Sequence, residues 1–124
     1  MDRVLVVDDD DDIRDLIVFA LRRRGFEVHS SGDPLAALAF ATAEGCTAAV
    51  LDWSMPTMDG GELCARLREL PDLRSVPIVI LTAHADAETR EKAFAAGATR
   101  YVTKPFSLKH LAEVVAELVA APEG

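Results

Sequence analysis

A chain of 124 residues, half of them hydrophobic and 27% charged, has the size and composition of one folded domain and not of a disordered segment. Its 13 basic and 21 acidic residues leave a net charge of −8, and no basic stripe or RNA-type aromatic motif offsets it, so direct nucleic-acid binding by this segment is not expected. No apolar run approaches the ~18 residues of a membrane span, the opening "MDRVLVV" has no small-residue cleavage site behind it, and Cys46 and Cys64 lack metal-ligand spacing. A cytoplasmic protein with no membrane contact is expected, its two thiols buried and without a functional part.

In chain order, "VLVV" at 4–7 runs straight into five aspartates, Asp8 to Asp12. That run and two others, "AAVL" at 48–51 and "VPIVIL" at 76–81, are short and nearly continuously apolar, as strands buried on both faces are. "FEVHSS" at 26–31 and "TRYVT" at 99–103 mix polar with apolar residues and suit strands at the rims of a sheet. Between them lie helical patterns. Ile13, Leu16, Ile17, Ala20 and Leu21 form one apolar stripe, and Leu108, Leu111, Ala112, Val115, Leu118 and Val119 form another. Residues 34–44, 60–70 and 86–96 are predicted helices with weaker patterns, the fourth having the thinnest apolar face, chiefly Ala87, Ala93 and Phe94. Gly25, Gly45 and Gly97 stand where the first, second and fourth helices should end. One domain over 1–120 is expected, with 121–124 a tail or the start of a linker.

Five strands alternating with five helices imply an α/β domain, a doubly wound parallel sheet with right-handed crossovers. With the second and fifth strands at the edges, the simplest order is 2-1-3-4-5, which opens a crevice at the carboxyl ends of strands one and three. Asp8 and Asp9 follow the first strand, Asp52 ends the third, Thr82 the fourth, and Lys104 follows the fifth, so all five converge there. Three carboxylates suit a hard divalent cation such as Mg²⁺. A hydroxyl and an ammonium opposite them can hold two oxygens of a phosphoryl group, and the set has the parts of a phosphoryl-transfer site.

The stretches "VLVVDDDDDIR", "VLDWSMPTMDGGEL", "PIVILTAHAD" and "ATRYVTKPFSLKHL" resemble the receiver domain of bacterial two-component response regulators, chemotaxis regulators included, from Arg3 to about Leu118. The resemblance implies a flavodoxin-like (βα)5 fold and a signalling domain, not an enzyme acting on a separate substrate. It implies that Asp52 accepts a phosphoryl group from a sensor histidine kinase or histidine phosphotransfer protein, and that Asp8, Asp9, Asp52 and the backbone carbonyl of Ser54 hold Mg²⁺. Thr82 and Lys104 become the switch hydroxyl and the phosphate-pairing lysine, Tyr101 the switch aromatic, and the Lys104–Pro105 peptide cis. Ser54 and His84, each two residues beyond a site residue, stand at positions that tune the lifetime of the phosphoryl group. Output through the fourth helix, fifth strand and fifth helix, to an effector or a second copy, is the further implication. Thr99, Arg100, His110 and Val114 stand where regulators that carry winged-helix DNA-binding domains have the charged residues that pair across a dimer, so that dimer is not expected, whereas Arg90, Arg100 and Lys109 suit an acidic partner.

Simpler readings stand beside these. Asp10, Asp11 and Asp12 complement a helix N-terminus, Asp59 and Gly60 cap and open the third helix, and Met55 with Pro56 shapes the loop after Asp52. Trp53 is either packing or a reporter of cation binding, and His29, His84 and His110 have no ligand spacing. Three other functions compete: a receiver that is never phosphorylated and serves as an interaction module, a Mg²⁺-dependent phosphohydrolase of the haloacid dehalogenase type, and a flavin carrier. The phosphohydrolase needs an acid where Ser54 stands, and the carrier needs a hydroxyl- and glycine-rich loop where the aspartates stand.

Overall fold

The structure, a computed structural model, describes residues 2–121; the end of the expected tail, 122–124, lies outside the described residues. Its elements are β1 (Arg3–Val7), α1 (Asp11–Arg23), β2 (Glu27–Ser31), α2 (Pro34–Glu44), β3 (Ala48–Asp52), α3 (Gly60–Arg68), a 3-10 turn (Pro71–Leu73), β4 (Ile78–Thr82), α4 (Ala87–Ala95), β5 (Arg100–Thr103) and α5 (Leu108–Ala120). The sheet is parallel throughout, in the order β2-β1-β3-β4-β5. The expected topology is thus the observed one. The segments at 26–31 and 99–103 do form the edges, and the Lys104–Pro105 peptide is cis.

Strand periodicity sorts the core into two layers. Leu5, Val7, Ala49, Leu51, Ile78 and Ile80 point to the face covered by α2, α3 and α4, while Val4, Val6, Ala48, Val50, Val79 and Leu81 point to the face covered by α1 and α5. Each fully buried Leu or Ile stabilises the fold by roughly 1.5–3 kcal/mol relative to an exposed one. β1, β3 and β4 have both faces covered, which explains their unbroken apolar runs.

Helix starts follow from side-chain caps. Asp10 accepts from the amides of Asp12 and Ile13, Asp33 from Leu35, Asp59 from Glu62, Asp86 from Thr89, and Ser107 from His110. The buried stripe of α1 differs from the expected one. Ile17, Val18 and Leu21 are buried, whereas Leu16 is 52% and Phe19 60% exposed. The helix packs against the sheet and α5 together, so its contact line is centred between Ile17 and Val18 and carries Leu16 to the outer rim. In α4 only Ala93 is buried; Ala87 and Phe94, expected on the apolar face, are exposed, because the short helix meets α3 and β5 along a narrow strip. Cys64 is buried as expected, but Cys46 is only half-buried.

Candidate functional site

Asp8, Asp52 and Thr82 are the buried polar or charged residues among those described, 1%, 4% and 1% exposed. Each sits at the carboxyl end of a central strand or one residue beyond it, where a side chain can leave the sheet without crossing the core. Asp9 is exposed beside them, and oxygens of Asp8, Asp9 and Asp52 all lie within 4.8 Å of one another. Lys104 reaches in from β5, its Nζ donating to Asp52 Oδ1 at 2.8 Å and standing 4.0 Å from Asp8 Oδ2. Asp8, Asp9, Asp52 and Lys104 are therefore together as expected, and Thr82 ends the adjoining strand one residue beyond Leu81, the register partner of Asp52.

The electrostatics are unbalanced. Three carboxylates face one ammonium, a net of two negative charges if all are ionised. Burial pushes the Asp8 carboxyl above its ordinary range, helped by Asp52 and Asp9 and opposed by the Asp10 amide and Lys104. Burial likewise raises Asp52, and its bond to Lys104 offsets that only in part. Burial also works to lower the Lys104 pKa, but its bond to Asp52 and the nearby Asp8 charge outweigh it and raise the value. Asp8 Oδ1 accepts from the Asp10 amide at 2.9 Å, whereas Oδ2 is buried without a hydrogen-bond partner. A buried carboxylate oxygen left free in an anionic crevice, with two further carboxylates in reach, is a donor set that fits a small divalent cation.

On the other side of the crevice, Thr82 Oγ1 accepts from the His84 amide at 3.0 Å, and the Thr82 carbonyl accepts from the Lys104 amide at 2.7 Å. Thr82 follows Ile80 on the face toward α3 and α4, and Ile80 pairs with Tyr101 on β5. Tyr101 is half-buried with its hydroxyl enclosed and unpartnered among the described residues, its ring 6.5 Å from that of Phe94 on α4. Thr82, Tyr101 and α4 thus form one continuous wall. Ser54 and His84 are both exposed at the crevice mouth.

Four residues contribute beyond the sequence reading. Gly60 was expected only to open α3, but a Cβ there would collide with the Asp52 carbonyl, so the helix can start against β3 only with glycine. Thr57 holds a φ of 75°, a strained conformation for a β-branched residue in the loop after Asp52. Arg14 Nη1 donates to the Asp8 carbonyl at 2.8 Å. Far from the crevice, Arg68 donates to the carbonyls of Gly97, Leu73 and Val76. An acid and a base three residues apart, as Asp11 and Arg14 are, is a pairing signal that a sequence carries, whereas backbone partners such as those of Arg68 leave none.

The chain as a whole is similar to known proteins in sequence and in fold. Residues 4–116 match the family model of the response regulator receiver domain. A 14.6 kDa protein from Leptolyngbya boryana is 40% identical over 118 residues, 95% of this chain and 90% of that one. The transcriptional regulatory protein SrrA of Staphylococcus aureus is 36% identical over 104 residues, 84% of this chain; the match spans 42% of SrrA. The chemotaxis protein CheY4 of Vibrio cholerae superposes with a TM-score of 0.90 at 31% identity, covering 95% of this chain and 98% of that one. The receiver domain of the sensor histidine kinase PA1611 of Pseudomonas aeruginosa, whose structure has a magnesium ion coordinated in the active site cleft, gives 0.88 at 28% identity, covering 97% and 98%.

Proposed function

The chain belongs to the response regulator receiver domain family, a family of signalling domains, and from that premise we propose that it is a Mg²⁺-dependent phosphoacceptor whose acceptor is Asp52. The observation that carries this reading is the buried Asp52 carboxylate bonded to Lys104, with Asp8 and Asp9 within ligand reach. Asp8, Asp9, Asp52 and the Ser54 carbonyl would hold Mg²⁺, which when bound neutralises charge on the carboxylates and on the transferred group.

In the transfer, an oxygen of Asp52 attacks the phosphorus of a phosphohistidine, the P–N bond breaks, and an aspartyl phosphate remains with the histidine as leaving group. Lys104, already at the Asp52 carboxylate, pairs with the incoming phosphoryl oxygens. Thr82 turns its hydroxyl from the His84 amide toward them. That movement frees space along the wall shared with Tyr101 and α4, and the population shifts toward an active arrangement of α4, β5 and α5. α4, with Ala93 as its one buried side chain, is the element that gives way most readily. Ser54 and His84 tune access of water to the acyl phosphate. This sequence of events does not require an enzyme's turnover of a separate substrate.

The donor would be a sensor histidine kinase or histidine phosphotransfer protein in the cytoplasm. The crevice continues into an apolar hollow of about 560 Å³ lined by Leu16, Ala83, Pro105 and Phe106, which suits a docked protein better than a small polar donor. Exposed Arg90, Arg100 and Lys109 suit an acidic effector or a second copy at the output face. Among the described residues no helix is long and apolar enough to cross a membrane, and the net charge of −8 argues against direct binding to nucleic acid.

Intact mass after incubation with a small phosphodonor and Mg²⁺ tests the reading. One labile phosphoryl unit is expected on the wild type and none on Asp52→Asn or in EDTA. An unmodified wild type, under conditions that label an active receiver, overturns it in favour of a receiver that acts unphosphorylated.

A further inference from the structure

We propose that Arg14 is a positioning residue for the divalent cation: by holding the carbonyl of Asp8 it sets the peptide from which the Asp8 and Asp9 carboxylates converge. The inference rests on the reading of Asp8, Asp9 and Asp52 as cation ligands.

Asp8 is gripped at three points. Its amide donates to the Ser31 carbonyl at 3.2 Å, its Oδ1 accepts from the Asp10 amide at 2.9 Å, and its carbonyl accepts from Arg14 Nη1 at 2.8 Å. The third bond matters most for geometry, because that carbonyl belongs to the peptide unit joining Asp8 to Asp9. Rotation of this plane would swing the Asp9 side chain away from the crevice, where oxygens of Asp8, Asp9 and Asp52 lie within 4.8 Å of one another. Arg14 is itself held: its Nη2 pairs with Asp11 at 2.6 Å, and its side chain is only 17% exposed against 81% for Asp11. The guanidinium lies so close over Gly32 that a Cβ there would be 2.8 Å from Nη1. One planar fork thus ties the end of β1 to the first turn of α1, across the turn after β2.

The plainer account is a surface ion pair with Asp11, of little weight for stability and without bearing on the cation. The two accounts differ in sign. Arg14 is a positive charge near a site for a positive ion, so if it acted by charge alone its removal would tighten Mg²⁺ binding. A positioning role requires weaker binding, and groups that orient metal ligands typically change affinity by about 10–100-fold when removed.

The experiment is a MgCl₂ titration followed by the amide NMR shifts of residues 8–10 and 52–54, with thermal unfolding as a control for folding. Saturable shifts in the wild type that are lost or weakened in Asp9→Asn support the ligand reading. Arg14→Met should then raise Kd about tenfold while staying folded. Arg14→Lys, which keeps the charge and one donor, should recover part of the loss. Gly32→Ala, which crowds the guanidinium without altering charge, should weaken binding in the same direction. A folded Arg14→Met that binds Mg²⁺ as well as or better than the wild type overturns the inference and leaves the ligand reading intact. No saturable shift in the wild type overturns both.

Discussion

The two ends of the sheet treat a half-buried cation in opposite ways. At the amino end of β4 and β5, the Arg68 guanidinium donates to the carbonyls of Gly97, Leu73 and Val76 at 2.6–3.0 Å and touches Thr99 Oγ1 at 3.3 Å. Its partners are neutral, their geometry is closed, and every bond ties the end of α3 to a neighbouring loop. At the carboxyl end Lys104 stands among three carboxylates, one of which has a free buried oxygen, while Thr57 keeps a strained backbone in the adjoining loop. One end is satisfied by neutral hydrogen bonds. The other is left anionic and strained, so that a cation and a phosphoryl group can improve on it. A parallel sheet permits this division because its strand ends of each kind gather at one edge.

Three perturbations sharpen the contrast. The largest effect is expected from Arg68→Met, which leaves several partly buried carbonyls without donors. We expect a loss of about 3 kcal/mol in urea unfolding, with the Mg²⁺ affinity of the remaining folded protein unchanged. A loss confined to cation binding would contradict the division.

Asp8→Asn should act with the opposite sign. Because burial raises the folded Asp8 carboxyl above 3.8, the native state holds its proton more tightly than the unfolded chain does. The cost of ionisation is absent below the unfolded value, grows as pH rises through the folded one, and is complete at higher pH. In Mg²⁺-free buffer at neutral pH, Asp8→Asn is therefore expected to gain about 1 kcal/mol, and the gain should fade as pH drops toward 4. Mg²⁺ at ten times its Kd should stabilise the wild type by about 1.4 kcal/mol, an increment that EDTA removes. A gain that does not vary with pH would mean that the carboxylate charge is not what burdens this end.

The smallest change is Thr57→Asn. Asparagine accepts the left-handed conformation more readily than a β-branched residue, and a rise of about 0.5–1 kcal/mol is expected in the same unfolding measurement. No change would show that the loop's strain is already relieved by its packing.

The sequence by itself determined the topology, because apolar runs of strand length mark β1, β3 and β4 as doubly covered and mixed runs mark β2 and β5 as rims. It also determined which polar residues meet, since Asp8, Asp9, Asp52, Thr82 and Lys104 follow strand ends that any parallel sheet in this order brings together. Tertiary structure alone decided which way α1 turned, exposing Leu16 and burying Val18, because that choice depends on α5 from the far end of the chain. It alone made Gly60 obligatory, and it alone gave Arg68 its partners, which are backbone carbonyls that every residue possesses and that no side-chain pattern can announce. Side-chain chemistry and periodicity are written along the chain. The close approach of one backbone to another is not, and it appears only when the layers are packed.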